Sequence, residues 1–186
     1  MKNILQKFYA ITDRKQFKRP FEEQIKRQLQ KGIRMFQLRE KDLPSGEIYN
    51  YALKMREILK GYDAFLFIND RVDIAVMVHA EGVHLPSDSI PIEAVKHKFP
   101  ELIVGKSCHS VEEAIKAEKD GADYIFFSPI FETPNKGEPK GIEELNKVLK
   151  MVSIPVYALG GINEDNIKDV LDTGVYGIAG IRMFID

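Results

Sequence analysis

The sequence predicts an α/β fold: a single (β/α)8 barrel, or TIM barrel, that lacks the helix after its eighth strand. Three observations carry this expectation. Short apolar runs rich in β-branched and aromatic residues recur along the chain, helical patterns lie between them, and the glycines cluster late. The runs are residues 8–12, 35–38, 64–68, 82–85, 103–107, 124–128, 155–158 and 177–181. An open doubly wound sheet is the competing arrangement, but it needs a switch point, commonly with a glycine-rich turn after the first strand. Here the first run leads into Thr12-Asp13-Arg14. The glycines come instead at Gly160-Gly161 after the seventh run and at Gly177 and Gly180 in the eighth, where barrels often bind phosphate.

The helical candidates between the runs include residues 21–30, 46–59, 111–120 and 142–150. Ser110 followed by Glu113 is a capping box that starts the third of these, and Gly121 stops it. No linker or low-complexity segment interrupts the series, so residues 1–186 form one domain. Only residues 182–186 follow the eighth run, so the closing helix is absent. Barrels of this class typically exceed about 200 residues. The apolar face left bare is expected to be covered by a second subunit, giving a homodimer, or by residues 1–7.

Composition sets outer bounds. A hydrophobic fraction of 44% and a charged fraction of 30% describe an ordinary globular protein. With 27 basic against 28 acidic residues, there is no electrostatic footprint for nucleic acid or an anionic membrane, so any anion must be captured locally. Cys108 has no cysteine partner within the chain, and the N-terminal residues lack an uninterrupted apolar run. The expected setting is cytoplasmic.

Local chemistry is concentrated just after the predicted strands, which in a barrel share one face. In residues 35–41, MFQLREK, strand alternation puts Gln37, Arg39 and Lys41 on one side and Phe36 and Leu38 on the other. Two cations and an amide at a strand end suit a phosphate or pyrophosphate. The competing reading is a half-exposed strand with solvated charges. Asn69-Asp70, after the third run, and residues 86–89, after the fourth, offer oxygen ligands suited to Mg²⁺, which needs only one or two protein carboxylates beside substrate phosphates. Asn69-Asp70 also reads as the N-cap of a helix over residues 71–79.

Ser107 is followed by Cys108-His109, but adjacent residues at a strand end point apart, which argues against a Cys–His nucleophile. His84 reads as a hydrogen-bonded core residue, and His79 and His97 as structural or exposed. No zinc-ligand spacing is present in the sequence. The loop over residues 128–141, with two glycines, three prolines and Lys136, reads either as a cover that brings a cation onto a ligand or as a solvated connection.

Taken together, QLREK, INDRVD, GVHL, GKSCHSVEEAIKAEKDGADY, SPIFETPNK and ALGGI, in this order, resemble the thiamine phosphate synthase and thiazole tautomerase family over about residues 9–181. The resemblance implies a transferase in thiamine biosynthesis. Pyrimidine-methyl pyrophosphate would lose pyrophosphate to give a stabilised carbocation, captured by the ring nitrogen of a thiazole phosphate. It implies that Gln37, Arg39, Lys41 and Asn69 hold the pyrimidine pyrophosphate and that Asp70 is the first Mg²⁺ ligand. Ser107 and Lys136 would contact pyrophosphate or pyrimidine, with Arg39, Lys41, Lys136 and Ser107 carrying catalysis. Thr133 and Asn135 fall where the family binds the thiazole phosphate, and Gly161 with Ile181-Arg182 would offer backbone N–H groups to it.

Three departures from the family pattern stand out. The family's second Mg²⁺ carboxylate aligns with Ser89, leaving Asp88 one place early. Arg182 replaces a small polar residue, and the last helix is missing. Two alternatives to a synthase follow from the same resemblance: a thiazole tautomerase and a non-catalytic barrel that binds thiamine precursors. Leu85–Ser89 has the character of the tautomerase branch, whereas Pro129 stands where that branch has its catalytic histidine and can move no proton.

Overall fold

Parallel strands cannot be joined by tight hairpins, so each apolar run has to be followed by a crossover, and in this chain the crossovers are helical. The computed structural model describes residues 4–134 and 136–185. Its elements alternate from β1 (Phe8–Ile11), α1 (Phe21–Gln30), β2 (Met35–Leu38) and α2 (Ser45–Lys60) to β3 (Phe65–Asn69), α3 (Val72–Met77), β4 (Gly82–Leu85) and α4 (Ile92–Lys98). The second half continues with β5 (Ile103–Cys108), α5 (Val111–Lys119), β6 (Tyr124–Phe127), α6 (Gly141–Met151), β7 (Val156–Ala158), α7 (Ile167–Asp172) and β8 (Gly177–Gly180). Among the described residues each strand pairs in parallel with the next, and β8 closes on β1 through the register Ala10↔Gly180. The closed barrel excludes the open doubly wound sheet.

The predicted bounds of α1, β2 and β4 coincide with the observed ones, β3 is shifted by one residue at both ends, and the other strands differ by a residue at one end. Ser110 accepts from the Glu113 amide as the capping box requires, while Glu113 reaches back to the His109 amide at 2.7 Å. Gly121 adopts φ +95° at the end of that helix. One local expectation is corrected: Asn69-Asp70 does not cap α3, which is preceded by Arg71 and has no side-chain cap. The helix covers only Val72–Met77, because Asp70 and His79 flanking it both take positive φ, 63° and 52°.

The barrel is filled by rings. Tyr9, Phe67, Tyr124, Phe126 and Tyr157 are buried inside it with Met35, edge to face or tilted, at centroid spacings such as 5.2 Å for Tyr9–Phe126 and 5.6 Å for Tyr124–Tyr157. Rings of that size fit because the strands facing them carry glycine. A Cβ on Gly105 would lie 2.1 Å from the Tyr124 ring, one on Gly82 would lie 2.6 Å from Phe67, and one on Gly177 would lie 2.8 Å from Tyr157. The outward faces of the strands build a second, mainly aliphatic core against the helices, with Phe36 and Phe127 buried in it.

At the N-terminal end of the barrel, Tyr157 donates to the Gln6 carbonyl and Tyr176 to the Leu5 carbonyl, each at 2.7 Å. Residues 4–7 therefore close the bottom and do not cover the flank of β8 and β1, which corrects that part of the expectation. Residues 1–3 lie outside the described residues. After β8 a 3-10 turn (Arg182–Phe184) stands where the last helix was expected to be missing. Gln24 and Gln28, one turn apart on α1, both donate to the Phe184 carbonyl, and the Phe184 ring meets Phe8 at 6.2 Å.

Packing of glycine against ring gives a direct expectation. Gly105→Ala should destabilise the protein by about 1–3 kcal/mol, since the added methyl overpacks the interior. Gly46→Ala, with open space around it, should not. Urea titration of the two variants checks the contrast.

Candidate active site

The mouth of the barrel is organised by an ion pair that local sequence patterns do not reveal. The alternation expected through residue 41 stops at Leu38, where β2 ends. Gln37 is fully buried inside the barrel, Arg39 stands at the mouth with its amide on the Thr12 hydroxyl at 3.0 Å, and Lys41 is exposed on the turn that follows. Between them Glu40 turns inward, only 4% exposed, and accepts from the Arg14 amide at 3.0 and 3.2 Å and from its guanidinium at 3.0 Å. Arg14 also grips Asp42 through two bonds of 2.7 and 2.8 Å. The loop after β1 and the loop after β2 are thus clamped together, with Asp13 left beside Arg39.

Arg39 and Lys136 line one cleft there even though they do not share a strand face, and the charge of Lys41 reaches Lys136. The Lys136 ammonium, on the loop after β6, is held below its ordinary pKa by burial first and then by the charges of Arg39 and Lys41. Burial likewise lowers Arg39, opposed by Asp13 and Glu40. A cluster of like charges of this kind is relieved by an anion bound among them.

On the adjoining side of the mouth, the Asp70 amide donates to the His84 carbonyl at 2.9 Å, and the Ser89 hydroxyl donates to the Asp70 carboxylate. Ser89 sits in a turn with its amide on Pro86 O at 3.1 Å. The Lys106 ammonium reaches the same carbonyl at 2.7 Å; burial lowers its pKa, while Cys108, Asp88, Asp70 and Glu113 hold it up. Lys106 had no role in the sequence reading. A lysine inside an otherwise apolar strand is the signal that could have found it.

The chemistry of this donor set bears on Mg²⁺. Asp70 and Ser89 present hard oxygens in direct contact, with Asp88 on the same loop as Ser89. No group of three His, Cys, Asp or Glu side chains among the described residues could hold a metal alone. The set fits an ion that draws its remaining ligands from water and substrate phosphate, as Mg²⁺ does.

Beneath the mouth, Ser107 shares a hydrogen bond of 2.9 Å with His84 Nε2. His84 is fully buried and stacked on Phe126 at 3.9 Å, and burial, then Lys106 and Arg39, push its pKa down to about 3. It is a neutral, hydrogen-bonded core residue, as its sequence context implied. Asn69 lies level with it across the β3–β4 register. Cys108 faces outward and burial pushes its thiol up to about 12, while the His109 ring bonds the Ser128 carbonyl at 2.8 Å. The adjacent pair makes no nucleophile.

A cleft of about 730 Å³ opens over the loops after β6, β7 and β8 and is lined by Arg39, Thr133, Lys136, Gly161, Ile181 and Arg182. Gly160 and Gly161 both take positive φ, 104° and 66°, and a Cβ on Gly161 would come 2.7 Å from the Glu132 carbonyl. Only glycine lets the two loops approach so closely. The Thr133 hydroxyl is occupied by the Phe131 carbonyl at 2.9 Å, and exposed Arg182 leans on Gln16 at 3.3 Å. Asn135 lies outside the described residues. Ser89 and Ser107 border a neighbouring hollow of about 360 Å³.

Comparison with known proteins matches this geometry to a lineage. The profile of the thiamine monophosphate synthase family matches residues 8–184. The chain belongs to that family. It is 50% identical over 184 residues to a putative thiamine-phosphate synthase 2 of Aquifex aeolicus, covering 98% of this chain and 99% of that one. Against the thiamine-phosphate synthase of Pyrococcus furiosus, identity is 44% over 177 residues, covering 94% and 84%. The solved thiamine phosphate pyrophosphorylase from Pyrococcus furiosus superposes with a TM-score of 0.87 at 44% identity, over 94% of this chain and 85% of that one. An N-acetylmannosamine-6-phosphate 2-epimerase from Clostridium perfringens, 17% identical, shares the fold with a TM-score of 0.72 over 96% of this chain and 86% of that one.

The crowding of cations in this member of the thiamine monophosphate synthase family sets a pH dependence. An anion bound in this cleft would need Lys136 protonated, and burial with neighbouring cations holds its pKa below the usual lysine range. Pyrophosphate affinity should therefore fall as pH rises through that lowered value, earlier than for an ordinary lysine. Arg39→Gln removes one repelling charge and should move the Lys136 component of the fall to higher pH. Calorimetric titration with pyrophosphate across alkaline pH checks the direction.

Proposed function

We propose that the protein joins hydroxymethylpyrimidine pyrophosphate to a thiazole phosphate, releasing pyrophosphate, as a Mg²⁺-dependent transferase of thiamine biosynthesis. The observation that carries this reading is that Arg39 and Lys136 line one cleft, with the charge of Lys41 also acting on Lys136. The C–O bond to pyrophosphate breaks with its electron pair leaving on the pyrophosphate, and the thiazole ring nitrogen supplies the pair that forms the new C–N bond. Charge develops on the departing group, and groups preset around that position stabilise it most. Arg39, Lys41 and Lys136 hold the departing anion, while Gln37 and Asn69 orient the pyrimidine end and Ser107 adds a hydrogen bond.

Asp70 with Ser89 or Asp88 would hold Mg²⁺, which when bound would supply Lewis-acid stabilisation of the leaving group. Thr133, Asn135, Gly161, Ile181 and Arg182 take the thiazole phosphate in the larger cleft. Pro129 lines that cleft and can neither accept nor donate the proton that the isomerase alternative requires. A cytoplasmic setting belongs to the proposal, supported by the free, buried thiol of Cys108. So does a homodimer over the flank of β8 and β1, where Phe8 on β1 and Leu171 on α7 are each 41% exposed.

Incubation with both substrates and Mg²⁺ should give coupled product and pyrophosphate. Isomerised thiazole alone would indicate the tautomerase, and tight binding without turnover the non-catalytic barrel. Arg39→Ala should lower kcat/KM by about 10²–10³-fold, since it removes a donor aimed at developing charge. Asp70→Asn should abolish stimulation by Mg²⁺. An unchanged Mg²⁺ requirement in Asp88→Asn would leave Asp70, Ser89 and the substrate oxygens as the ligand set. Sedimentation equilibrium should return twice the chain mass, and Phe8→Glu should return one.

A further inference from the structure

A line of hydrogen bonds crosses the barrel interior from β1 to β5. The Tyr9 and Tyr124 hydroxyls are 3.1 Å apart, Tyr124 is 3.2 Å from His84 Nδ1, and His84 Nε2 is 2.9 Å from the Ser107 hydroxyl. Tyr9, Tyr124 and His84 are buried away from water, and Ser107 alone of the four is partly exposed. Both nitrogens of His84 face hydroxyls, and stacking on Phe126 fixes the ring plane. Each hydroxyl has one proton and a neutral imidazole has one, so the Nε2–H tautomer allows one arrangement of the line and the Nδ1–H tautomer two, according to which tyrosine donates to the other.

In the Nε2–H arrangement Tyr9 donates to Tyr124, Tyr124 donates to Nδ1, and Nε2–H donates to Ser107. Ser107 then keeps its own proton for a ligand. In the other tautomer Ser107 spends its proton on Nε2 and turns only lone pairs outward, while Tyr124 accepts from Nδ1–H and either leaves its own buried O–H unpaired or donates it to Tyr9. The far end decides against donation to Tyr9. The Gln37 amide adjoins the Tyr9 hydroxyl, and its Nε2 is a buried donor with no hydrogen-bond partner. Donation from Tyr124 to Tyr9 would point the Tyr9 O–H at that N–H with no acceptor between them. The Nε2–H arrangement leaves the Tyr9 oxygen open to it.

We propose that Tyr124 is a positioning residue: through His84 it fixes the Nε2–H tautomer, so that Ser107 presents its hydroxyl proton to an anionic substrate at the mouth. The proposal rests on the reading of that mouth as a pyrophosphate site. It makes a fully buried tyrosine on the far side of the barrel interior part of anion recognition.

Nitrogen-15 NMR of the histidine side chains in the wild-type protein, with and without inorganic pyrophosphate, reads the tautomer directly; His84 is assigned by its loss in His84→Gln. The expected result is Nε2–H in both states. Tyr124→Phe should weaken pyrophosphate binding by roughly three- to tenfold, the scale of one hydrogen bond. In the Ser107→Ala background the same change should have no further effect, because Tyr124 acts through that hydroxyl. An Nδ1–H tautomer in the wild type, or additive effects of the two substitutions, would overturn the proposal. If Tyr124→Phe does not fold, the wild-type tautomer decides alone. Pyrophosphate bound with an Nδ1–H tautomer overturns the relay only, whereas no pyrophosphate binding overturns the reading of the mouth and the relay with it.

Discussion

An eight-stranded barrel has to be filled, and in this protein the filling is aromatic ring set against glycine. Gly82, Gly105 and Gly177 sit where any Cβ would strike Phe67, Tyr124 and Tyr157. The rest of the molecule depends on this arrangement. The rings give the strands a rigid interior, and their hydroxyls bring polar groups into it that must then be paired. Tyr157 and Tyr176 are paired downward onto residues 4–7, while Tyr9 and Tyr124 are paired upward toward His84. The same packing that stabilises the fold therefore orients the layer from which the site is built.

The mouth works against folding in order to be ready for a ligand. Arg39 and Lys136 are both lowered from their ordinary pKa by burial, so their charged forms carry a desolvation penalty, and their mutual repulsion adds to it. Such an arrangement persists because neighbouring elements impose it. The buried Glu40 clamps Arg14, and through Arg14 the turn carrying Asp13 and Gln16, so the loops that surround Arg39 cannot relax outward. On the proposed reading a bound anion would supply the missing counter-charge, and would do so best when its own charge is greatest, as a leaving group departs.

Much of the fold was legible in the sequence, for a physical reason. Strands buried on both faces read as continuous apolar runs, so β2 and β4 could be placed to the residue. The short helices α4 and α7 were not singled out, because six or seven residues give too few turns for a period to show. The site was legible where residues follow the strand pattern, as Gln37 and Ser107 do. It was not legible where the chain leaves that pattern. Glu40 looked like another solvated charge in REK, and its burial follows from Arg14, distant in sequence. Asp70 looked like a cap, and its left-handed backbone turns the carboxylate instead to Ser89.

Lys106 shows what the departure at Ser89 entails. With a hydroxyl where the resemblance sets a second carboxylate, and Asp88 one place early, the group touching Asp70 is uncharged, and an ammonium is anchored beside it on the Pro86 carbonyl. A cation next to a metal site weakens the metal, unless the ligands that complete the site are themselves strongly anionic. Phosphate oxygens meet that condition and water does not. On the proposed reading, Asp70, Ser89 and Lys106 would favour an ion that arrives with a diphosphate over one held by the empty protein, since the substrate would neutralise the lysine as well as supply ligands.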